Sequence, residues 1–206
     1  MPPRSRNIVR IDSRVGPSDR RRALGHGPAT ARLTGLSGSG KSAIAFALEE
    51  ALLARGVAAY VLDGDNVRFG LNRDLGFSPE DRTENIRRIG EVCRLMYDAG
   101  LVVIAAFISP YLADREGVRA LHPDDGFVEV HLDTPIEVCE ARDVKGLYAR
   151  ARTGEIPEFS GVSAPYEPPE SPDLRLDTGQ VDLATCVDTI LAHLTEGDVL
   201  PRAASS

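Results

Sequence analysis

Short apolar runs alternate along the chain with longer stretches in which apolar residues recur at helical spacing. Residues 57–63 and 101–109 are nearly continuous apolar runs, which is typical of strands buried on both faces of a parallel sheet. Three shorter or more mixed runs resemble them. The pattern therefore predicts five strands, at 31–34, 57–63, 101–109, 127–133 and 173–178.

Helical spacing is found between these strands. One helix is predicted from Ser42 to a stop at Gly56, and another over 78–100, with Ser78 as its N-cap and a proline at its first position. Three more helices are predicted at 111–121, 134–143 and 181–194. Strands that alternate with helices form a parallel sheet covered on both sides. The sequence therefore predicts an α/β fold, with a five-stranded parallel sheet flanked by helices on both faces.

The two ends and one internal segment do not follow this pattern. Residues 1–24 are rich in arginine and are interpreted as a flexible arm, 25–194 as a single domain, and 195–206 as a loose C-terminal tail. The segment at about 145–172 begins with helical character and continues rich in proline, glycine and serine. It is too long for a plain connector and carries basic residues and Phe159, so we expect a lid rather than a disordered loop.

Composition narrows the class of protein. The 206 residues carry a net charge of −7, and an acidic chain is not suited to following a nucleic-acid backbone. The longest apolar run, at 101–108, is too short to cross a bilayer, so no membrane contact is expected. Three scattered cysteines indicate buried thiols in a reducing compartment, the cytoplasm, rather than disulfides or a zinc site.

The stretch GLSGSGKS joins the first predicted strand to the first predicted helix. Gly-x-x-x-x-Gly-Lys-Ser in this position is the phosphate-binding loop pattern, in which glycines let backbone N–H groups turn toward phosphates and the helix N-terminus adds its dipole. Lys41 is expected to reach the β- and γ-phosphates and Ser42 to bind Mg²⁺. The predicted ATP-binding residues of the loop are Gly35, Leu36, Ser37, Gly38, Ser39, Gly40, Lys41 and Ser42.

An alternative interpretation of the same stretch is a glycine- and serine-rich turn that carries a surface lysine. The flanking strand and helix disfavour it. The motif indicates binding of a nucleoside triphosphate but leaves the acceptor open, because GTPases, ATPases and small-molecule kinases share it.

Two acids, Asp63 and Asp65, follow the second predicted strand. Sites in this kind of sheet lie at the carboxyl ends of strands. One carboxylate there can hold a water on Mg²⁺, and the other can accept the proton of an attacking hydroxyl. Phosphoryl transfer to an alcohol needs both functions. Acids in a solvated turn are the alternative interpretation.

Arginines follow these acids closely. Arg68 and Arg82 are expected to bind an anionic substrate, because guanidinium groups contact such anions through paired hydrogen bonds. Arg87 and Arg88 are interpreted instead as helix-surface partners of nearby glutamates. Arg142, after the fourth predicted strand, could cover a nucleotide base or a phosphate.

Several motifs together resemble one known family. GLSGSGKS, LDGDNVR, FSPEDRTENIRRI, FISPY, DVKGLY and FSGVSAPYEPPESPDLRLDT are similar to those of adenylylsulfate kinase, also called adenosine 5′-phosphosulfate kinase, over roughly residues 25–194. The resemblance implies a phosphate-loop kinase that transfers the γ-phosphate of ATP to the ribose 3′-hydroxyl of adenosine 5′-phosphosulfate (APS). The products would be 3′-phosphoadenosine 5′-phosphosulfate and ADP, which is the second step of sulfate activation.

The resemblance also implies roles and partners. Such kinases need Mg²⁺ and are usually homodimers, and a sulfate adenylyltransferase partner is possible. Ser42 and Asp63 would lie at the metal, and Asp63, Asp65 and Lys41 would be catalytic. Ser109, described as a phosphoserine in bacterial members, is a further catalytic candidate, although direct transfer does not require it. The residues implied to line or close over APS are Arg68, Phe77, Arg82, Asn85, Ile108, Ser109, Lys145 and Phe159, with the two rings stacking on its adenine and Arg142 near the ATP base.

The chain departs from the usual family pattern at Arg32, Ala43 and Phe69, where Trp, Thr and His are common. None of these has an assigned bond-making role. A charged Arg32 on a half-buried strand, however, requires an acidic neighbour or access to solvent.

Two other functions stay open. One is a kinase for nucleoside monophosphates or another small metabolite on the same scaffold. The other is a nucleotide-binding subunit with little activity of its own, docked to a sulfurylase through the arginine-rich arm.

Overall fold

Five parallel strands form the sheet of this computed structural model, which describes residues 7–9, 11, 13–123, 126–143 and 145–200. The strands are β1 (Ala29–Thr34), β2 (Ala59–Asp63), β3 (Val102–Ala106), β4 (Phe127–Leu132) and β5 (Leu174–Leu176). Their order is β2-β3-β1-β4-β5, and every adjacent pair is parallel. The predicted five-stranded parallel sheet is confirmed. The central strand β1 delivers the glycine-rich loop between the ends of β3 and β4, where such sheets bind ligands.

Seven helices surround the sheet in the described part of the chain. They are α1 (Pro17–Leu24), α2 (Lys41–Leu53), α3 (Pro79–Asp98), α4 (Leu112–Arg119), α5 (Ile136–Arg142), α6 (Leu147–Arg152) and α7 (Leu183–Glu196). Ser78 caps α3 as predicted, since its hydroxyl accepts a hydrogen bond from the backbone N–H of Asp81 at 3.2 Å. No helix among the described residues has both the length and the apolar character needed to span a bilayer.

Alternate residues of the strands pack into two different layers. Leu33 of β1 and Val130 of β4 join the side chains of α2 and α7 in one apolar cluster. Val103 of β3 and Phe127 of β4 belong to a second cluster with the side chains of α3 and α4. Helices therefore cover both faces, as the sequence predicts.

The end of the chain is more ordered than expected. Helix α7 continues to Glu196, and Val199 and Leu200 beyond it are buried in the cluster of α2 and α7. The backbone N–H of Gly27 donates to the carbonyl of Val199 at 2.8 Å. The prediction of a loose tail is therefore wrong for residues 195–200, because an apolar pair after the turn can fold back onto the core. Residues 201–206 lie outside the described part.

The N-terminal arm contains one helix. Residues Pro17–Leu24 form α1, and Arg21 donates to the carboxylate of Asp198 at 2.7 Å. Leu24 lies so close to Gly100 that a Cβ on that glycine would stand 2.6 Å from its side chain. The described end of the predicted flexible arm is thus a helix that contacts the domain, whereas residues 1–6, 10 and 12 lie outside the described part.

Candidate active site

The glycine-rich loop has a backbone that only glycine allows. Gly35, Gly38 and Gly40 have φ angles of 151°, 77° and 93°. A Cβ on Gly35 would stand 2.7 Å from the carbonyl oxygen of Leu132, and one on Gly38 would stand 2.8 Å from that of Cys139. The loop is therefore wrapped tightly against the ends of neighbouring elements and opens α2 at Lys41, as the phosphate-binding interpretation requires.

Lys41 lies across this loop. Its Nζ donates to the carbonyl oxygens of Leu36 at 2.7 Å and Gly35 at 3.0 Å. Burial lowers the pKa of Lys41 to about 8, while the nearby charges of Asp63 and Asp65 act against that shift. The buried, weakly hydrated ammonium group of Lys41 beside the loop is suited to stabilise the charge of a phosphoryl group during its transfer.

Ser42 and Asp63 meet at the first turn of α2. The hydroxyl of Ser42 donates to Oδ2 of Asp63 at 2.7 Å, and Oδ1 of the same carboxylate accepts from the backbone N–H of Asp65 at 3.1 Å. Mg²⁺ prefers oxygen ligands and usually takes only one or two from the protein, with waters and phosphates completing its shell. The two predicted metal ligands are therefore adjacent, and their chemistry fits the ion.

Asp65 and Lys145 form an ion pair. The predicted proton acceptor comes from the end of β2, and the lysine comes from the start of the predicted lid. The structure thus brings the end of β2 and the lid together at this point.

Arg68 and Arg82 both lie beside Phe77. The guanidinium of Arg68 is 4.4 Å from the ring centre, and its Nη1 donates to the carbonyl of Gly76 at 2.8 Å. Arg82 donates to the carbonyls of Phe77 at 2.8 Å and Glu158 at 2.7 Å, and to the hydroxyl of Ser160 at 3.0 Å. Burial lowers the pKa of both arginines. Arg82 therefore joins helix α3 to the lid.

Two other predicted acceptor residues lie on the loop after β3. Ser109 has φ 48° in the left-handed region and is buried, and its carbonyl accepts from Arg115 at 2.8 Å. Within the described chain its hydroxyl has no hydrogen-bond partner. The carbonyl of Ile108 accepts from the hydroxyl of Thr34 at 2.7 Å. A strained residue held by its surroundings is common at binding sites.

Helix α3 also carries Asn85, which was predicted to line APS, and Arg87 and Arg88, which were predicted to pair with glutamates. Asn85 is buried, and its side-chain oxygen accepts from the amide of Asn72 at 2.9 Å. Arg87 and Arg88 both bind the carboxylate of Glu84, at 2.7 and 2.8 Å. The helix-surface interpretation of these two arginines is confirmed.

The two predicted stacking rings do not face each other over an open slot. Phe77 is 62% exposed, whereas Phe159 is only 8% exposed. The Phe159 ring packs edge-on against Tyr148 at 5.0 Å and shares a small cluster with Cys139. In this structure the ring is thus part of a small apolar cluster within the predicted lid segment, because Tyr148 offers it an apolar partner.

Sequence reasoning predicted Arg142 as a nucleotide contact but missed Thr134, Tyr148 and Thr178, which support the phosphate loop together with it. Arg142 donates to the hydroxyl of Thr178 at 2.8 Å, and that hydroxyl donates to the carbonyl of Ser39 at 3.0 Å. Thr134 lies 2.9 Å from Thr178, hydroxyl to hydroxyl. Tyr148 donates to the carbonyl of Ser37 at 2.9 Å. Both threonines follow strands of the sheet, so their position at the carboxyl ends was the available signal.

Arg32 was expected to have an acidic neighbour or access to solvent, and only the acidic neighbour is present. It is 3% exposed on β1, opposite Glu129 of β4. Burial lowers the pKa of Arg32 to about 10, and the charge of Glu129 acts against that shift. Across the described residues both terminal nitrogens of its guanidinium lack a hydrogen-bond partner. An acid is near, but it does not bind the head group.

A cleft of about 530 Å³ lies between the loop and the lid, lined by Leu36, Ile136 and residues 161–166. A parallel sheet, a phosphate-binding loop at its central strand, and a serine hydroxyl adjacent to a carboxylate at the start of the following helix define a phosphate-loop kinase. The profile of the adenylylsulphate kinase family matches residues 27–177. The chain belongs to this family.

Individual relatives agree with the family match. An adenylyl-sulfate kinase of Staphylococcus epidermidis is 54% identical over 196 residues, which are 95% of this chain and 98% of the relative. The APS kinase CysC of Mycobacterium tuberculosis, solved with AMPPNP and APS, superposes with a TM-score of 0.78 at 48% identity and covers 82% of this chain and 98% of its own. A hexameric APS kinase from Thiobacillus denitrificans has a TM-score of 0.66 at 32% identity, over 89% of this chain but 32% of the other.

Proposed function

We propose that this chain is an ATP-dependent kinase that phosphorylates the 3′-hydroxyl of APS and releases ADP. The observation that carries the proposal is the Ser42–Asp63 pair beside Lys41, at the mouth of a loop whose glycines allow a triphosphate to approach the backbone. The mycobacterial relative, which was solved with an ATP analogue and APS, supports the same pair of substrates.

The roles of the residues at the phosphates follow from their positions. Ser42 and Asp63 would hold Mg²⁺, which neutralises charge between the β- and γ-phosphates when bound. Lys41 would exchange its bonds to loop carbonyls for bonds to the phosphate oxygens. Asp65 would accept the proton of the 3′-hydroxyl after parting from Lys145, which frees the lysine for an anion.

The acceptor side would use the remaining predicted residues. Arg68 and Arg82 flank Phe77, so a purine stacked on the exposed ring would carry its phosphosulfate within reach of a guanidinium. We propose that Asn85, Ile108, Ser109, Lys145 and Phe159 complete this half of the site, with Arg142 toward the ATP base. Phe159 would have to leave Tyr148 to reach the purine.

The oligomeric state and the cellular location are inferred from a relative and from the cysteines. We propose a homo-oligomer, with a dimer as its simplest form, and the hexameric relative supports assembly of such chains. A sulfate adenylyltransferase would be the supplier of APS and is the expected functional partner. The cysteines at 93, 139 and 186 are free and buried, which supports a reducing compartment such as the cytoplasm.

An ADP-release assay with a panel of acceptors tests the function. We expect ADP only when APS is added to the purified chain with ATP and Mg²⁺, and none with AMP or shikimate. Turnover with those acceptors instead would point to another small-molecule kinase, and tight nucleotide binding without turnover would point to a docked binding subunit.

Lys41→Ala tests the assignment of the loop. We expect its kcat to fall by about 10²–10³-fold, because the removed charge stabilises the moving phosphoryl group. Arg55→Ala, which removes an exposed positive charge just after α2, is the matched control and should keep wild-type turnover. Unchanged activity in Lys41→Ala would show that the loop assignment is wrong.

Proton uptake gives an independent test of Lys41. Because burial lowers its pKa to about 8, much of the free enzyme is neutral at this lysine near pH 8.8. Phosphates of a bound nucleotide favour the charged form, so ATP binding should take up a proton near pH 8.8 and much less near pH 7. Titration calorimetry in buffers of different ionisation enthalpy measures the uptake. Equal uptake at both pH values would contradict the assignment.

A further inference from the structure

Arg115 on helix α4 is almost completely buried, at 2% exposure. Its Nη1 donates to the carbonyl of Ser109 at 2.8 Å, and its Nη2 donates to the carbonyl of Glu167 at 2.6 Å. The first carbonyl belongs to the loop after β3, and the second belongs to the end of the lid. One guanidinium, which is 6 residues from Ser109 and 52 residues from Glu167 along the chain, therefore links the two segments.

Further bonds join the same two segments, here called the acceptor loop (residues 108–112) and the lid stem (residues 165–167). The backbone N–H of Glu167 donates to the carbonyl of Pro110 at 2.8 Å. The Glu167 carboxylate accepts from the N–H of Leu112, the first residue of α4, at 2.6 Å. Such a carboxylate at a helix N-terminus satisfies an otherwise free donor.

The charge of Arg115 is balanced inside the protein. Its Nε lies 3.3 Å from a carboxylate oxygen of Glu129 on β4, and the backbone N–H of Glu129 is held by Asp173 at 2.7 Å. A buried pair of this kind is weak evidence for stability. Among the described residues neither this Nε nor this carboxylate oxygen makes a hydrogen bond, so the pair balances charge, and the two carbonyl partners set the direction of the terminal nitrogens.

The lid stem and the acceptor loop both border the proposed substrate site. Residues 165 and 166 line the cleft beside the phosphate loop. Ser109 keeps its left-handed backbone, at φ 48°, with its carbonyl bound to Arg115. Arg115 is therefore the side chain that binds both the acceptor loop and the lid stem, and Glu167 adds two direct bonds between them.

We propose that Arg115 is a positioning residue for the acceptor, which clamps the lid stem to the acceptor loop without touching substrate; this rests on the proposed function. The clamp needs a planar fork, because a lysine offers a single ammonium group and cannot hold both carbonyls in fixed directions. Neither of the two carbonyls that it binds belongs to the phosphate loop.

Arg115→Lys tests the proposal, because it keeps the charge opposite Glu129 but removes the fork. We expect its KM for APS to rise at least tenfold, with KM for ATP within twofold of wild type. Arg119→Lys is the matched control: Arg119 lies one turn further along α4, pairs with Asp173 at 2.6 Å, and has no bond to either segment. It should leave both constants within twofold. An unchanged KM for APS in Arg115→Lys overturns the proposal.

Hydrogen exchange separates this proposal from the proposed function. The amide of Glu167 is bonded to Pro110, so it should exchange at least tenfold faster in Arg115→Lys than in wild type or Arg119→Lys, whatever the acceptor is. Glu167→Ala provides a second variant if Arg115→Lys folds poorly, because it removes the contact to Leu112 from an exposed position. Unchanged exchange at the lid stem in these variants overturns the clamp, even in an inactive protein.

Discussion

Strands β1 and β4 turn alternate residues to the two faces of the sheet, and the two sets differ in kind. Toward α2 and α7 they present only apolar side chains, which are Ala29, Leu33, Val128, Val130 and Leu132. Their other positions include buried polar and charged residues, which are Thr30, Arg32, Thr34, Glu129 and His131. The first set supports the helix that begins at the phosphate loop. The second set meets α4 and the lid stem.

This difference shows how the phosphate loop and the lid stem are each held in position. Apolar contacts are strong in total but not directional, so they suit the rigid base beneath the phosphate loop. Hydrogen bonds and buried ion pairs add little net stability but define directions, so they suit a lid that must stand at a fixed position relative to the acceptor loop. We call these two surfaces the apolar face and the polar face.

The largest expected effect is the loss of stability caused by truncating a side chain that packs against the apolar face. Leu48 of α2 is 0% exposed, so Leu48→Ala leaves a cavity beneath the phosphate loop. We expect the free energy of unfolding to fall by about 2–5 kcal/mol, the usual cost of such a truncation. Urea denaturation followed by circular dichroism measures it.

Leu53→Ala is the control for this variant. Leu53 lies on the same helix and is 54% exposed, so the same chemical change removes little buried surface. We expect a loss below about 0.5 kcal/mol, as for most surface substitutions. Equal losses at both positions would show that the apolar face is not what supports α2.

The sequence could predict the apolar face and the phosphate loop because both depend on local patterns. Short apolar runs predicted all five strands, and GLSGSGKS identified the loop by its own glycines. Ser42 was assigned to Mg²⁺ by the phosphate-loop pattern, and Asp63 by its position after the second predicted strand and by the family resemblance. The structure places their side chains 2.7 Å apart.

The polar face could not be predicted in the same way. Arg115 contacts Glu129 and Glu167, which are distant in sequence, as well as the nearby Ser109, and no spacing rule connects all of them. The family resemblance assigned Phe159 to a purine, whereas the structure packs its ring against Tyr148. Long-range pairs of this kind depend on how the lid packs, which a pattern along one chain does not encode.

A second prediction concerns Arg32, a buried charge on the polar face. The two terminal nitrogens of its guanidinium have no hydrogen-bond partner in the described chain, and Glu129 already has Arg115 as its ion-pair partner. Arg32→Met should therefore stabilise the protein by about 1–4 kcal/mol, because it removes a buried charge that nothing binds. Thermal and urea unfolding both measure the gain.

Arg115→Met is the contrasting variant on the same face. It removes the ion-pair partner of Glu129 and frees two carbonyls, so we expect it to destabilise the protein. The two arginine substitutions should thus have opposite signs. A loss of stability in Arg32→Met would show that its charge is needed in the core.

The smallest expected effect is a change of the free energy of unfolding with pH, which arises from His131 on the polar face. Burial lowers the pKa of His131 to about 4, with Asp133 acting against the shift and Arg175 and Arg115 adding to it. In the unfolded chain this histidine binds a proton below about pH 6.5, whereas in the folded protein it does so only near pH 4. The unfolded state therefore binds more protons in this window, and stability falls as the pH is lowered through it.

His131→Gln isolates this contribution. Between pH 7 and pH 4.5 the wild type should lose about 1–3 kcal/mol more than the variant, since one unit of pKa difference corresponds to about 1.4 kcal/mol. Urea midpoints at several pH values give the two slopes, and their difference cancels the titration of other groups. The ring of His131 stacks on Tyr166 of the lid stem at 6.0 Å, so a charged imidazole there would also loosen the polar face at the lid. Parallel slopes would mean that His131 can take up its proton while folded, and that this part of the polar face is open to water.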